Sequence, residues 1–192
     1  MEIRDYIWDL GGTLLDNYET STAAFVATLS YYGLPASHDA VYEALKVSTQ
    51  HAVQLFAPSQ TNFLRMYKAN EVKELEHPIL FEGARELLEE LTRAGARHFM
   101  VSHRDNHVLE ILDKTGIAAY FTEVVTADNG FARKPAPDSI YYLRDKYQIE
   151  RGLVIGDREI DVQAGQAAGL ATYLFDDIPH LRAFLQEIEG QT

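Results

Sequence analysis

The chain contains no cysteine, and it has no hydrophobic run long enough to cross a bilayer. The absence of cysteine excludes disulfides and thiol chemistry. Basic residues are also scarce: 17 Lys and Arg against 29 Asp and Glu give a formal net charge of -12. Nucleic acids and anionic membranes require clustered basic residues, so we expect neither as a partner. The first residues, Met1–Asp5, lack a hydrophobic signal region, which favours a cytoplasmic location.

Apolar runs separated by helical patterns predict the fold class. With 192 residues, 46% of them hydrophobic, the chain can bury one sizeable core. The runs that read as buried strands are Tyr6–Trp8, His98–Val101, Val124–Thr126, Leu153–Ile155 and Ala171–Phe175. Helical spacing covers residues 82–94, 106–114, 136–147, 161–168 and 179–188. This alternation predicts an α/β fold built on a doubly wound, parallel, five-stranded sheet.

A long helical insertion interrupts that alternation after the first strand. Residues 20–32, 39–47 and 62–69 have helical spacing, and we find no convincing strand between them. The connection is far longer than an ordinary loop. We therefore predict a core formed by residues 1–16 and 81–192, with an all-helical cap of residues 17–80 over the carboxyl edge of the sheet.

A carboxylate stands where the first predicted strand ends. Asp9 is followed by Gly11, Gly12 and Thr13. Polar groups at the carboxyl ends of parallel strands meet at the edge where open α/β sheets bind ligands. A lone Asp usually caps a turn, but the two glycines and Thr13 are hard to explain as a plain turn. A carboxylate in this position can attack phosphorus and form an aspartyl-phosphate.

Two further polar residues follow predicted strands. Ser102 can simply cap the next helix, but its hydroxyl and the nearby backbone N–H groups also suit a phosphate oxygen. Lys134 precedes Pro135 and can be an ordinary surface lysine. In a functional interpretation, its ammonium neutralises the charge of a nucleophile and of a transferring phosphoryl group.

A pair of acids follows the fourth predicted strand. Asp157 and Asp161 are four residues apart at a helix start, so they share one face of the helix. One of them could be explained as a cap. Together with a third acid from another strand, they form a hard-oxygen site suited to Mg²⁺.

The order of these motifs resembles that of the haloacid dehalogenase-like phosphatases. The segment Asp9–Thr13 is similar to the family's first motif, Asp-x-Asp-Gly-Thr, and Ser102, Lys134-Pro135 and Gly156-Asp157-x-x-x-Asp161 match the three later motifs. The resemblance covers essentially the whole chain, with the helical insertion where a C1-type cap would lie.

The resemblance implies a role for each matching residue. It makes Asp9 the nucleophile, Lys134 a catalytic and phosphate-binding cation, and Ser102 a phosphate ligand, assisted by the backbone N–H of His103. The implied metal ligands are Asp9, the Gly11 carbonyl, Asp157 and Asp161, with Mg²⁺ as cofactor.

Gly11 departs from the family pattern, because the phosphatases carry their acid/base aspartate there. Glycine keeps the carbonyl that coordinates Mg²⁺ but has no side chain to protonate the leaving group or activate water. General acid–base catalysis contributes about 10²–10⁴ in rate. Another group could replace it (Asp16, Tyr18 or His51), or the leaving group could need no proton, as in acyl phosphates.

These observations predict a Mg²⁺-dependent phosphohydrolase that acts on a small phosphorylated metabolite through an aspartyl-phosphate, more slowly than relatives that have the acid/base aspartate. The alternative is a catalytically impaired, phosphate-binding or regulatory protein of this fold. A phosphonate or 2-haloacid hydrolase is less favoured, because the Gly-Asp-x-x-x-Asp element is typical of Mg²⁺-using phosphatases. No pattern that we recognise encodes the substrate's identity or the oligomeric state.

Overall fold

The computed structural model describes residues 3–74 and 76–190, and its centre is a parallel sheet. The strands are β1 (Asp5–Trp8), β2 (Arg97–Val101), β3 (Phe121–Val125), β4 (Gly152–Gly156) and β5 (Ala171–Leu174). Their spatial order is β3-β2-β1-β4-β5, and every pairing is parallel. The predicted α/β fold class is confirmed.

The helices account for most of the remaining chain. They are α1 (Asn17–Tyr31), α2 (His38–Val47), α3 (Thr49–Phe56), α4 (Phe63–Glu74), α5 (Ala84–Arg93), α6 (His107–Lys114), α7 (Asp138–Tyr147), α8 (Glu159–Ala167) and α9 (Ile178–Gly190). Within residues 3–74 and 76–190, no helix combines the length and the apolar character needed to cross a membrane.

Strand β1 lies at the point where the strand order reverses. The chain moves from β1 outward to β2 and β3, then returns to the other side of β1 for β4 and β5. Trp8 at the end of β1 is in register with Met100 of β2 and Ile155 of β4. Residues just after these three strands therefore meet at one edge of the sheet, where this class of fold binds ligands.

Helices cover both faces of the sheet, as the doubly wound prediction requires. Tyr6 and Trp8 of β1 pack into a core that contains residues of α5, α6 and α9, whereas Ile7 packs into a second core with residues of α7 and α8. Each large side chain that is fully buried in this way stabilises the fold by roughly 1.5–3 kcal/mol. The first strand is thus held from both sides, and its carboxyl end is a firm base for a site.

The chain divides into two compact units. One contains the segment that ends at Leu15 and the segment that begins at Leu80, and the other is Asp16–Ile79. The predicted boundaries, 16/17 and 80/81, lie one residue further along the chain at each junction. The second unit contains α1–α4 and has its own core, in which the ring of Phe25 lies 4.8 Å from Phe63 and 5.1 Å from Tyr67.

The structure corrects several predicted elements. Helix α3 was not predicted, although Ser48 caps it by accepting a hydrogen bond from the backbone N–H of His51 at 3.0 Å. Strand β3 begins at Phe121, not at Val124, because an edge strand with exposed positions lacks a continuous apolar run. Thr126, predicted as the end of that strand, lies in the loop after it.

Candidate active site

Asp9 lies directly after β1 and is almost fully buried. Its backbone N–H donates to the carbonyl of Ile155 at 2.8 Å, which extends the pairing of β1 with β4 by one residue. The chain then turns sharply, with a φ of 83° at Gly12 and the N–H groups of Leu14 and Leu15 bonded to the Leu10 carbonyl. The turn fixes the carboxylate at the carboxyl edge of the sheet.

Lys134 reaches this carboxylate from the loop after β3. Its Nζ lies 2.6 Å from Asp9 Oδ1 and 2.5 Å from Asp161 Oδ1, and it donates to the Val101 carbonyl at 3.1 Å. All three charged side chains are buried. Because a buried charge is tolerated only when it is paired, the lysine and the two aspartates depend on one another.

Three carboxylates form one acidic cluster, which we call the triad: Asp9, Asp157 and Asp161. One oxygen from each lies within 4.8 Å of the others. Asp161 Oδ1 is buried, and its ion pair with Lys134 is the contact that compensates its charge. A set of three carboxylates with oxygens this close fits a hard divalent cation.

Burial shapes the electrostatics of the triad. It raises the pKa of Asp9, an effect that Lys134 opposes and Asp161 reinforces. Burial likewise raises the pKa of Asp157 to about 6, and the charge of Asp9 adds to this. Ionising all three carboxylates together is therefore costly without a cation, and binding a cation would relieve this cost.

Two residues of the turn after Asp9 support Asp157. Thr13 Oγ1 donates to Asp157 Oδ1 at 3.3 Å. A Cβ atom on Gly12 would lie 2.3 Å from Asp157 Oδ2, so the aspartate occupies the space that any side chain at position 12 would need. Neither residue was predicted as a site residue, although both belong to the first motif.

Ser102 and His103 lie after β2, as predicted. Ser102 is buried, and its Oγ accepts a hydrogen bond from the backbone N–H of Arg104 at 3.2 Å. The side chain of His103 has a contact that the sequence did not indicate: its Nε2 accepts from the backbone N–H of Lys134 at 2.8 Å. Burial lowers the pKa of His103 to about 4, so the ring is neutral at pH 7 and able to accept.

Further hydrogen bonds join the loops after β2 and β3. Thr126 Oγ1 donates to Asn106 Oδ1 at 2.7 Å, and the backbone N–H of Asn106 donates to Asp128 Oδ2 at 2.8 Å. The Asn129 side chain accepts from the backbone N–H of Thr126 at 2.8 Å. This network supports the loops that carry Ser102 and Lys134, and only side-chain positions in three dimensions could reveal it.

Gly11 and the groups considered as its replacement occupy different settings. Gly11 is half-buried and forms an isolated bridge with Leu15. In the helical unit, Asp16 caps α1 by accepting from the backbone N–H of Glu19 at 3.0 Å, and burial raises the pKa of Asp16. Tyr18 packs edge-on against Tyr42. A proton-donating role for Asp16, Tyr18 or His51 remains a prediction.

A second acidic group lies at the start of α9. Ligand atoms of Asp176, Asp177 and His180 lie within 4.8 Å of one another, and the group is largely exposed. Asp177 already accepts from the backbone N–H of His180 at 2.8 Å, so it acts as a helix cap. The positive end of a helix dipole disfavours a cation, and we assign no metal to this group.

A model of a known family matches residues 6–175, which is most of the chain and includes every residue of the site described above. The description of that family is haloacid dehalogenase-like hydrolase. The chain belongs to this family. The predicted family and the predicted hydrolase are therefore confirmed, and haloacid dehalogenase-like phosphatases generally use a divalent metal, which agrees with the triad.

Similar proteins come from several bacteria. The chain is 29% identical to a phosphoglycolate phosphatase from Vibrio parahaemolyticus, covering 90% of this chain and 83% of the relative. It is 28% identical to the pyrophosphatase PpaX of Oceanobacillus iheyensis, with 96% and 90% covered. The crystal structure of a hydrolase from Streptococcus pneumoniae superposes with a TM-score of 0.93 at 66% identity, covering 97% of this chain and 100% of that one.

Proposed function

We propose that this protein is a Mg²⁺-dependent phosphatase that acts on a small phosphorylated metabolite through an aspartyl-phosphate at Asp9. One observation carries the proposal: the triad and Lys134, contributed by segments that follow β1, β3 and β4, meet at a single point. Such a point can hold a phosphoryl group between a nucleophile and neutralising cations.

In the first step, a carboxylate oxygen of Asp9 attacks phosphorus, and an O–P bond forms while the bond to the leaving oxygen breaks. Lys134, already 2.6 Å from Asp9 Oδ1, orients the carboxylate and offsets the negative charge that develops on the phosphoryl oxygens. Ser102 and the backbone N–H of His103 hold those oxygens. The triad and the Gly11 carbonyl would hold a bound Mg²⁺, which would supply Lewis-acid stabilisation of the same charge.

In the second step, water attacks phosphorus, releases inorganic phosphate and regenerates Asp9. Neither step has an acid or base at position 11. The reaction therefore favours leaving groups that are stable as anions, such as the carboxylate of an acyl phosphate or the phosphate of a diphosphate. Turnover of simple alkyl phosphates should be slow, because an alkoxide departs poorly without a proton.

The relatives narrow the substrate to small molecules. One relative is named a phosphoglycolate phosphatase and another a pyrophosphatase. We infer that the present protein acts on a compound of similar size, and that the helical unit Asp16–Ile79 acts as the substrate-selecting cap.

A phosphate-binding protein without turnover is the second candidate, because glycine at position 11 removes the group that completes the reaction in phosphatases. A panel of alkyl phosphates, aryl phosphates, acyl phosphates and pyrophosphate, assayed with Mg²⁺, separates the two. Release of phosphate from at least one compound supports the phosphatase, whereas binding without any release supports the second candidate. Chloride release from a 2-haloacid without metal would point instead to a dehalogenase.

Asp9→Asn provides the decisive variant. We expect it to lower turnover by at least ~10³-fold, because an amide is a poor nucleophile at phosphorus. Asp113→Asn, which changes an exposed aspartate on α6, is the matched control and should retain full activity. Unchanged turnover in Asp9→Asn would remove Asp9 from the nucleophile's role.

A further inference from the structure

Two arginines stand beside the triad without a carboxylate partner. Arg133 directly precedes Lys134, and Arg158 directly follows Asp157; both side chains are exposed. Within residues 3–74 and 76–190, neither guanidinium forms an ion pair or a hydrogen bond. By contrast, Arg93, Arg97 and Arg182 each pair with an acidic side chain. The lack of an ion pair is shared with Arg65 and Arg151 among the described residues; what distinguishes Arg133 and Arg158 is their position, directly beside Lys134 and Asp157 of the acidic site.

Both guanidinium groups act on the site electrostatically. The charges of Lys134, Arg133 and Arg158 all add to the effect of burial in lowering the pKa of His103. Arg158 also opposes the rise in the pKa of Asp9 and of Asp157. Because Coulomb interactions weaken with distance, these effects are consistent with both arginines lying on the side of the sheet that carries His103, as expected from their places next to Lys134 and Asp157 in the sequence.

Depth separates the lysine from the arginines. A transferred phosphoryl group must lie close to Asp9, where the buried Lys134 already contacts the nucleophile. Arg133 lies in the loop after β3, next to Lys134, and Arg158 lies after β4, next to Asp157. Both arginine side chains are exposed. They are therefore placed to meet a part of the substrate that lies further from Asp9 than phosphorus. A planar guanidinium binds carboxylate or phosphate oxygens in pairs.

We propose that Arg133 and Arg158 bind a second anionic group of the substrate, a carboxylate or a phosphate adjacent to the transferred phosphoryl group. This rests on the proposed function for the position of the phosphoryl group, but it is tested by binding, without turnover.

The experiment uses ligands that cannot be hydrolysed, measured by calorimetry in saturating Mg²⁺. Phosphonoacetate is compared with ethylphosphonate, which lacks the carboxylate, and methylenediphosphonate with methylphosphonate. In each pair, we expect the wild-type protein to bind the ligand with the second anionic group at least ~10-fold more tightly than the ligand without it. This difference in affinity corresponds to about one charge-assisted hydrogen bond. The pair with the larger preference tells whether the second group is a carboxylate or a phosphate.

Arg133→Gln and Arg158→Gln should each reduce this preference by ~10-fold or abolish it, while the affinity for ethylphosphonate and methylphosphonate changes less than ~2-fold. The matched control is Arg151→Gln, because Arg151 is an exposed arginine that precedes β4 at the opposite edge of the sheet. The control should keep the wild-type preference and thereby exclude a general effect of lost positive charge.

Two results would overturn the proposal. If the Arg133 and Arg158 variants lose affinity equally for both members of a ligand pair, the arginines hold the transferred group itself. If they lose none, the arginines do not touch the ligand. The proposed function fails separately, when no phosphate ester is hydrolysed although the preference in binding is present.

Discussion

At the scale of single residues, Lys134 serves two purposes in this site. It pairs with Asp9 and Asp161 before any cation is bound, so the buried carboxylates are not left without a counter-charge. In the proposed reaction, the same ammonium would offset charge on a phosphoryl group. If the proposed function holds, one side chain both stabilises the site and prepares it for phosphoryl transfer.

Position 11 offers a direct test of the missing acid. The positive φ of the turn lies at Gly12 (83°) and not at Gly11, so a side chain at position 11 requires no strained backbone. We expect Gly11→Asp to raise the rate of alkyl phosphate hydrolysis by about 10²-fold or more, because it restores a proton donor. Gly11→Asn, which has nearly the same shape and no acidic proton, should not. Equal rates in all three proteins would mean that another residue already supplies the proton.

Candidate site residues were predicted best where a motif residue directly follows a predicted strand or lies in the loop after it. Asp9, Lys134, Asp157 and Asp161 were singled out because each follows a strand, and the structure brings their side chains together. The acceptor role of His103 was missed, since it depends on a contact with a loop 31 residues away. Contacts between loops leave no periodic signal in a sequence.

At the scale of elements, β1 and β2 are joined by more than their backbone pairing. Trp8 Nε1 donates to His98 Nδ1 at 3.0 Å, inside the core that covers one face of the sheet. Because Nδ1 accepts, the proton of the neutral ring must be on Nε2. Burial lowers the pKa of His98 to about 4, so the ring stays neutral in the folded protein at pH 5 and above.

This histidine should make the stability of the protein depend on pH. The unfolded chain protonates His98 below about pH 6.5, whereas the folded protein resists protonation until about pH 4. Stability is therefore full above pH 6.5 and is lost as the pH falls toward 4; the loss between pH 7 and 5 amounts to about 2 kcal/mol. His98→Gln keeps an acceptor for Trp8 but cannot titrate in this range.

Denaturant unfolding of both proteins at pH 7 and pH 5 measures this effect. The difference in unfolding free energy between wild type and His98→Gln should shift by about 2 kcal/mol toward the variant at pH 5. A difference that is the same at both pH values would show that His98 is not protonated on unfolding in that range.

Elements were predicted well wherever an apolar pattern was continuous. The fully buried strands β1 and β4 were located to within one residue at either end, because both of their faces are covered and nearly every position is apolar. Strand β3 and helix α3 were predicted poorly or not at all. Both carry exposed polar residues, so pattern alone could not separate them from loops.

At the scale of the whole molecule, an acidic chain of net charge -12 concentrates three buried or half-buried carboxylates at one point. This arrangement costs stability until a cation arrives. Binding of a divalent ion to the folded state alone raises stability in proportion to its affinity and concentration. The protein should therefore melt at a higher temperature with Mg²⁺ than with a chelator.

Asp157→Asn tests that balance. Without metal, the variant should be more stable than wild type by about 1–2 kcal/mol, because it removes one of three like charges a few ångströms apart. In Mg²⁺ the order should reverse, since the variant loses a ligand. Chemical denaturation with and without Mg²⁺ gives both values, and Asp113→Asn is again the control. A variant that is less stable than wild type in the absence of metal would contradict the repulsion.

The turn after Asp9 determines which substitutions positions 11 and 12 can accept. Position 12 is closed to side chains, because its φ is 83° and Asp157 fills the space beside it, whereas Gly11 is not among the glycines of positive φ. Glycine and aspartate codons can differ by a single base. A single base change could thus introduce an acid at position 11 without the backbone strain that a side chain at position 12 would face.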